Sequence, residues 1–403
     1  MFSIFSLFRR LNIFPNMSRE VAEQYMSVLL RNFGVGLIRL FEPVYIYKLV
    51  GEQIKWVALY YGATYLIRFF LIPLAGKISA RYGFERSMTM SLPLQIAYFY
   101  ILTLIGDHHQ LIFVAPFLSA LSLSIYWVAY HTNFAHYGND RIRGKQYSGL
   151  SLINDIFAVV SPIVGGILLA IFNFQVLFVV AGVIILLSCA PMLSTKEKFS
   201  PSRFSYFKAL KRIITSYKTY KHNYLLSYIG YGVDIISGTF WAIFIAIMLK
   251  NDFSLMGFLS GAVALLIATY SVYIGNAYDK RNFDRNQSSY YTSLIIYVVS
   301  WPLRVLAIGW WEILLIKIVI GLSGRSLEIG TIPAMYRRAG IYGNLKYVVF
   351  FSQSINLGRI ILLAIIFLWD FSLGIGWQEI FILGGIWSIL MGSMWKKKSR
   401  GIS

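Results

Sequence analysis

Apolar residues fall into twelve helix-length runs, at 21–50, 54–75, 87–105, 111–137, 148–172, 176–193, 224–249, 255–274, 290–308, 313–336, 345–369 and 377–395, separated by short gaps. A helix needs about 20 mostly apolar residues to cross the hydrocarbon core of a bilayer, and these runs meet or approach that length. The pattern predicts an all-α integral membrane protein with twelve transmembrane helices. Pro43, Pro93, Pro116, Pro162 and Pro333 lie inside the runs. Membrane helices tolerate such prolines because neighbours re-satisfy the backbone groups they free.

Two of the gaps repeat each other. GKISARYGFER at 76–86 and GNAYDKRNFDR at 275–285 align without a break, sharing an initial Gly (Gly76, Gly275), a base (Arg81, Lys280), a Phe (Phe84, Phe283), an acid (Glu85, Asp284) and an Arg (Arg86, Arg285). A repeat spaced by half the chain predicts a duplicated bundle of two six-helix halves, a construction common among transporters. The expected division is an N-terminal half at 1–195, a basic linker at 196–222 and a C-terminal half at 223–403.

Charge orients this bundle. Lys and Arg collect at both ends and in the even-numbered gaps, while the odd gaps have only Lys48, Lys55 and Lys250 at or beside them. The positive-inside rule then puts both termini and the even gaps in the cytosol, and an even number of spans agrees. The linker carries Lys196, Lys198, Arg203, Lys208, Lys211, Arg212, Lys218 and Lys221 against the single acid Glu197. It is expected to lie along acidic head groups.

Composition agrees: 57% of residues are hydrophobic and 13% charged, against about 25% charged in soluble domains. A formal charge of +20 would suit nucleic acid only if it formed one basic surface; spread over the gaps, it reports topology. Cys189 is the one cysteine, which excludes an internal disulfide and a multi-Cys metal site. The segment MFSIFSLFRR has the reverse order of a signal peptide, and Met17 is an alternative start just before the first run.

At this point the residues resemble the major facilitator superfamily, whose members join two six-helix halves by a cytosolic linker and carry a Gly-x-x-x-Asp-Arg-x-Gly-Arg/Lys-type motif between helices 2 and 3, with a weaker copy between helices 8 and 9. Gly76, Arg81, Gly83 and Arg86 match in the first copy, where Ala80 stands in place of the acid. In the second copy Gly275, Asp279, Lys280 and Arg285 carry the pattern, and Asn282 replaces the second Gly. The resemblance implies a gate on the cytosolic side latched by ion pairs, weighted here toward the second copy. Ser161-Pro162-Ile163-Val164-Gly165-Gly166 is similar to the Gly-Pro-x-x-Gly-Gly segment of the family's antiporter-type exporters, with Pro162, Gly165 and Gly166 forming a bending and packing element. Helix 4 lacks the Arg-x-x-x-Gly feature of drug and proton antiporters.

Charges deep in the runs are the candidate chemistry. Arg39, Glu42, Asp155, Asp234, Arg325, Glu328 and Arg359 would each cost on the order of 3 kcal/mol facing lipid, so they must face one another or a wet cavity. Arg39 with Glu42 and Arg325 with Glu328 are spaced for pairing along one helix. Arg304 and Lys317 lie near run ends and are expected to reach the interface. Polar stripes on Ser352, Asn356 and Arg359, on Tyr231, Asp234, Gly238 and Trp241, and on Tyr126, Trp127, Tyr130 and His131 lie on single helix faces. The resemblance places those helices beside the substrate path. Three bases against four acids leave the charge of a substrate undecided.

These features predict a secondary transporter working by alternating access, with a small-molecule substrate, protons as the coupling ion, and proton-coupled export of a small organic or amphiphilic compound as the favoured detail. A nutrient importer or a lysolipid transporter is the alternative within the fold. No cofactor, metal or nucleic acid is expected, and the working unit is read as a monomer in the cytoplasmic membrane. A membrane-embedded transferase would need a paired acidic motif for magnesium and phosphate; no Asp-x-x-Asp or Asp-Asp occurs.

Overall fold

The computed structural model describes residues 19–137, 143–193, 199–216, 222–280 and 283–395, and the regular structure among them is helical. The first predicted run is split into α1 (Arg19–Arg39) and α2 (Glu42–Leu49). There follow α3 (Ile54–Tyr82), α4 (Phe84–Leu104), α5 (Ala115–Tyr137), α6 (Arg143–Ile171) and α7 (Phe174–Leu193). A short helix, α8 (Tyr206–Ser216), lies in the linker. The second set is α9 (His222–Gly230) continued by α10 (Trp241–Met248), then α11 (Phe253–Lys280), α12 (Phe283–Leu303), α13 (Trp310–Tyr342), α14 (Asn344–Leu373) and α15 (Trp377–Ser388). Among the described residues eight helical segments are long and apolar enough to cross a membrane. The split α1/α2, α12, the charge-bearing α13, and α15 with its 3-10 extension Ile389–Trp395 match the remaining predicted runs.

Two places expected as gaps are mostly helix. α3 runs through Gly76 and Arg81 to Tyr82, and α4 begins at Phe84, so Gly83 alone turns the chain, at φ +102°. Only glycine holds that conformation without strain. In the second copy α11 ends at Lys280 and α12 starts at Phe283.

Packing links each set internally and then to the other. α1 packs on α6 and α7, α4 on α5 and α7, α12 on α13 and α15, and α9 on α14; two long pairings, α6 with α11 and α3 with α14, join the early helices to the late ones. Small residues make the first of these joints possible. A Cβ on Gly166 would strike the Phe253 carbonyl, one on Gly257 the Pro162 carbonyl, and one on Gly165 the Leu37 carbonyl, so backbones touch where lipid-soluble helices gain most from close approach. The linker lies on the end of the α3/α14 joint: Ser202 N donates to Ala80 O at 2.8 Å, Phe204 covers Gly76, and α8 packs against both helices. We call this end the linker side.

The first helix of each set is irregular at its acid. Phe41 N turns back to Ile38 O at 2.8 Å and Pro43, lacking an N–H, opens α2 beside Glu42. Between α9 and α10 the chain passes through a 3-10 turn (Tyr231–Val233), Asp234, and a π-turn (Ile236–Phe240). Such departures from α geometry free backbone groups and are common at functional positions.

Candidate functional site

The intramembrane charges gather into three groups near the middle of the bundle. In the first, Arg359 on α14 forks onto Asp234 through Nε to Oδ1 at 2.8 Å and through Nη2 to Oδ2, while its guanidinium covers the Tyr65 ring of α3 at 4.7 Å. The Arg359 side chain is 14% exposed but that of Asp234 is 53% exposed. A carboxylate halfway along a membrane helix is costly against hydrocarbon, and this one keeps an open edge beside its ion pair. Gly238, one turn on, has nothing within 4 Å of where a Cβ would stand.

In the second group Arg325 of α13 meets Asp155 of α6 at 2.9 Å, Glu328 on its own helix at 3.1 Å and Ser271 of α11 at 2.6 Å. The pair with Asp155 connects the two helix sets. The expected spacing Arg325–Glu328 therefore forms a local bond, but Arg39 and Glu42 do not pair: Arg39 is exposed, and Glu42 turns to tyrosines instead.

That is the third group. Glu42 Oε1 accepts from Tyr98 Oη at 2.6 Å and Tyr61 Oη at 3.3 Å, and Tyr60 Oη lies 3.3 Å from Tyr98 Oη. Among the described residues no Lys or Arg pairs with this carboxyl. The helix break at Glu42 explains the outcome, because turning the chain at Phe41 takes the carboxylate off the face that Arg39 occupies.

The aromatic stripe of α5 splits into two uses. Tyr126 carries the guanidinium of Arg31 on its ring at 3.4 Å, and Arg31 donates to Gln95 Oε1 at 2.8 Å. Trp127 stacks on His131, whose Nδ1 lies 2.8 Å from Tyr336 Oη of α13. Phe134 packs on Tyr336 and Phe351 on His131, and Tyr130 stacks with Tyr126. Trp241 lies away from these groups, packed on Phe244 and Phe381 with Arg304 at 5.3 Å. Ser352 and Asn356 are buried in α14, Asn356 bonding back to Ser352 O at 2.6 Å.

Arg304 and Lys317 do not reach the interface. Arg304 is fully buried, 3.5 Å over the Trp301 ring and bonded to Ser237 Oγ at 3.0 Å, and Lys317 donates to Ser260 Oγ at 2.7 Å. Nearby polar partners inside the bundle outcompete the stretch to water. Of the gate residues, Gly76 is buried under Phe204, Arg81 is exposed near the Tyr82 ring, and Arg86 is exposed. The side chains of Gly275, Asp279, Lys280 and Arg285 lie outside the described residues.

Sequence reasoning missed Arg68. It is 7% exposed on α3, with Arg359 and Asp234 within electrostatic reach, yet it has no hydrogen-bond or ion-pair partner among the described residues, and its Nε is buried without one. The signal was present, since Tyr61, Tyr65 and Arg68 follow the same i, i+4, i+7 spacing that picks out Ser352, Asn356 and Arg359. Counting Arg31, Arg68, Arg304 and Lys317 turns three bases against four acids into seven against four. The tyrosine cage of Glu42, assembled from α3 and α4, had no sequence signature.

A family model described as Major Facilitator Superfamily matches residues 25–340. No match was found among curated proteins. Among solved structures, the human organic anion transporter MFSD10 (TETRAN) superposes with a TM-score of 0.59 at 12% identity, over 94% of this chain and 99% of that one. At that identity the likeness is one of fold.

Proposed function

This chain belongs to the Major Facilitator Superfamily, an assembly of membrane transporters, and on that footing we propose that it is a proton-coupled secondary transporter exporting a small organic or amphiphilic compound. Transport proceeds by rocking of the two helix sets around a midplane site. The carrying observation is Glu42, a carboxyl enclosed by Tyr98 and Tyr61 with no pairing cation among the described residues. Taking a bare carboxylate out of water is expensive, so such a group takes a proton on when the site is shut and sheds it when the site opens to water. In the other two groups every acid has an arginine beside it: Asp234 is paired with Arg359, and Asp155 and Glu328 share Arg325.

One proton crossing 100 mV supplies about 2.3 kcal/mol, enough for roughly a fifty-fold gradient. Export rather than uptake is supported by the resemblance of segment 161–166 to the family's antiporter-type exporters; its glycines let α6 touch both α1 and α11. The distribution of Lys and Arg supports cytosolic termini in the cytoplasmic membrane, and the unit proposed is the monomer.

Purified protein in liposomes, given a panel of fluorescent organic compounds and an imposed pH gradient, tests this. The wild type should concentrate a compound against its gradient while dissipating the pH difference. Glu42→Gln should retain downhill exchange and lose at least about tenfold of the uphill rate. Accumulation indifferent to the pH gradient would overturn proton coupling.

A further inference from the structure

Arg68 asks for a counter-charge that the described protein does not provide. Buried polar groups are almost always hydrogen-bonded, and a buried cation is normally paired or its site is built for something else. This guanidinium lies midway along α3, 7% exposed, with no partner among the described residues and with a second guanidinium, that of Arg359, near enough to repel it. Asp234 is within reach as an attractive charge, but both of its oxygens are taken by Arg359. Of the other titratable groups near Arg68, His131 has its Nδ1 on Tyr336, and the Tyr65 phenol carries Arg359 on its ring.

The surroundings show where a ligand would enter. Tyr65 precedes Arg68 by three residues, on the same face of α3, and its ring carries Arg359, so the two guanidinium groups share one side of the helix. Beside Arg359, Asp234 keeps a half-exposed carboxylate and the Cβ position of Gly238 is open. Two arginines, one free and one held by a displaceable carboxylate, suit the geometry of an oxyanion, which accepts parallel N–H bonds from a guanidinium fork.

We propose that Arg68 and Arg359 form a substrate-binding site for an organic compound bearing an oxyanion, a carboxylate or a phosphate, at the joint between α3 and α14. The bound anion accepts from Arg68 and competes with Asp234 for Arg359, so it touches one helix from each set and draws the two together. This inference rests on the transport reading above and names the chemistry of its cargo.

The probes are benzoate and phenyl phosphate, with benzamide and benzylamine as the neutral and cationic counterparts, titrated into purified full-length protein in detergent and followed by tryptophan fluorescence and thermal unfolding. One or both anions should bind, with benzamide and benzylamine at least tenfold weaker. Arg68→Gln should weaken anion binding at least tenfold, while Arg68→Lys retains part of it. The ligand-free Arg68→Gln protein should unfold at the same temperature as wild type or higher, since an unpartnered buried charge has been removed; a structural arginine would give the opposite. Equal binding of benzamide and benzoate, anion affinity unchanged in Arg68→Gln, or loss of stability in both variants would overturn the site. Anion binding without any proton-driven flux would leave the site standing and remove the transport reading, whereas proton-driven flux of neutral compounds alone would do the reverse.

Discussion

Every deep charge named in this protein except Arg68 and the exposed Arg39 has a partner among the described residues. Arg325 meets Asp155, Glu328 and Ser271, Arg359 is held by Asp234, Arg31 rests on a tyrosine ring and a glutamine, and Glu42 has tyrosine hydroxyls alone. The contact between Arg325 and Asp155, at 2.9 Å with both side chains about one-fifth exposed, is the ion pair that ties α6 to α13. Asp155→Asn and Arg325→Gln should therefore be non-additive in a double-mutant cycle on transport rate, with a coupling of at least about 0.5 kcal/mol; strictly additive effects would make the contact incidental. Residue types alone marked these positions apart from Arg31 and Arg68, because charge inside an apolar run has few innocent explanations. Partners were harder to read. Spacing suggested Arg39–Glu42, and the turn at Phe41 separated them.

At the level of the helix, two devices recur: a glycine where backbones touch and a break where an acid must leave the helix face. Gly166 on α6 and Gly257 on α11 have no room for a side chain, since each would meet a backbone carbonyl of the other helix or its neighbour. Gly166→Ala should lower the unfolding temperature in detergent and slow transport at least several-fold, because the obstruction is backbone that cannot rotate away. Gly182→Ala on α7, where nothing lies within 4 Å, should leave both unchanged or gain slightly from helix propensity. Equal behaviour of the two variants would remove the close approach of α6 and α11 as a requirement. The twelve runs and the small-residue segment at 161–166 were legible as helix and packing element. The continuation of α3 through the motif to Tyr82 was not, because polar residues that end an apolar run need not end a helix.

Across the whole molecule the linker acts as a strap. Ser202 N bonds Ala80 O, at the position where the family places its acid; Phe204 seals Gly76, and α8 spans α3 and α14, with Arg212 reaching Lys346 O at 3.4 Å. Ala80 is buried there, and its small side chain leaves room for the linker backbone to approach. His131 and Tyr336 join α5 to α13. Phe204→Asp should release the strap and shift the population toward opening at that end. Spin labels at Lys77→Cys and Lys346→Cys in a Cys189→Ser background would read this as a longer distance; an unchanged distribution would show that the strap does not hold the halves.

Composition and the period of the apolar runs determined, without any coordinates, that this chain spans a membrane as a duplicated helical bundle, since every backbone polar group in lipid must be satisfied within a helix and only long apolar helices are stable there. They also marked which positions carry charge at a cost. Only the tertiary structure decided which of those charges find one another, because partners such as Arg359 and Asp234 lie 125 residues apart and meet through helix packing that no local pattern encodes. For the same reason Arg68, inconspicuous in sequence, became the unanswered charge at the centre of the molecule.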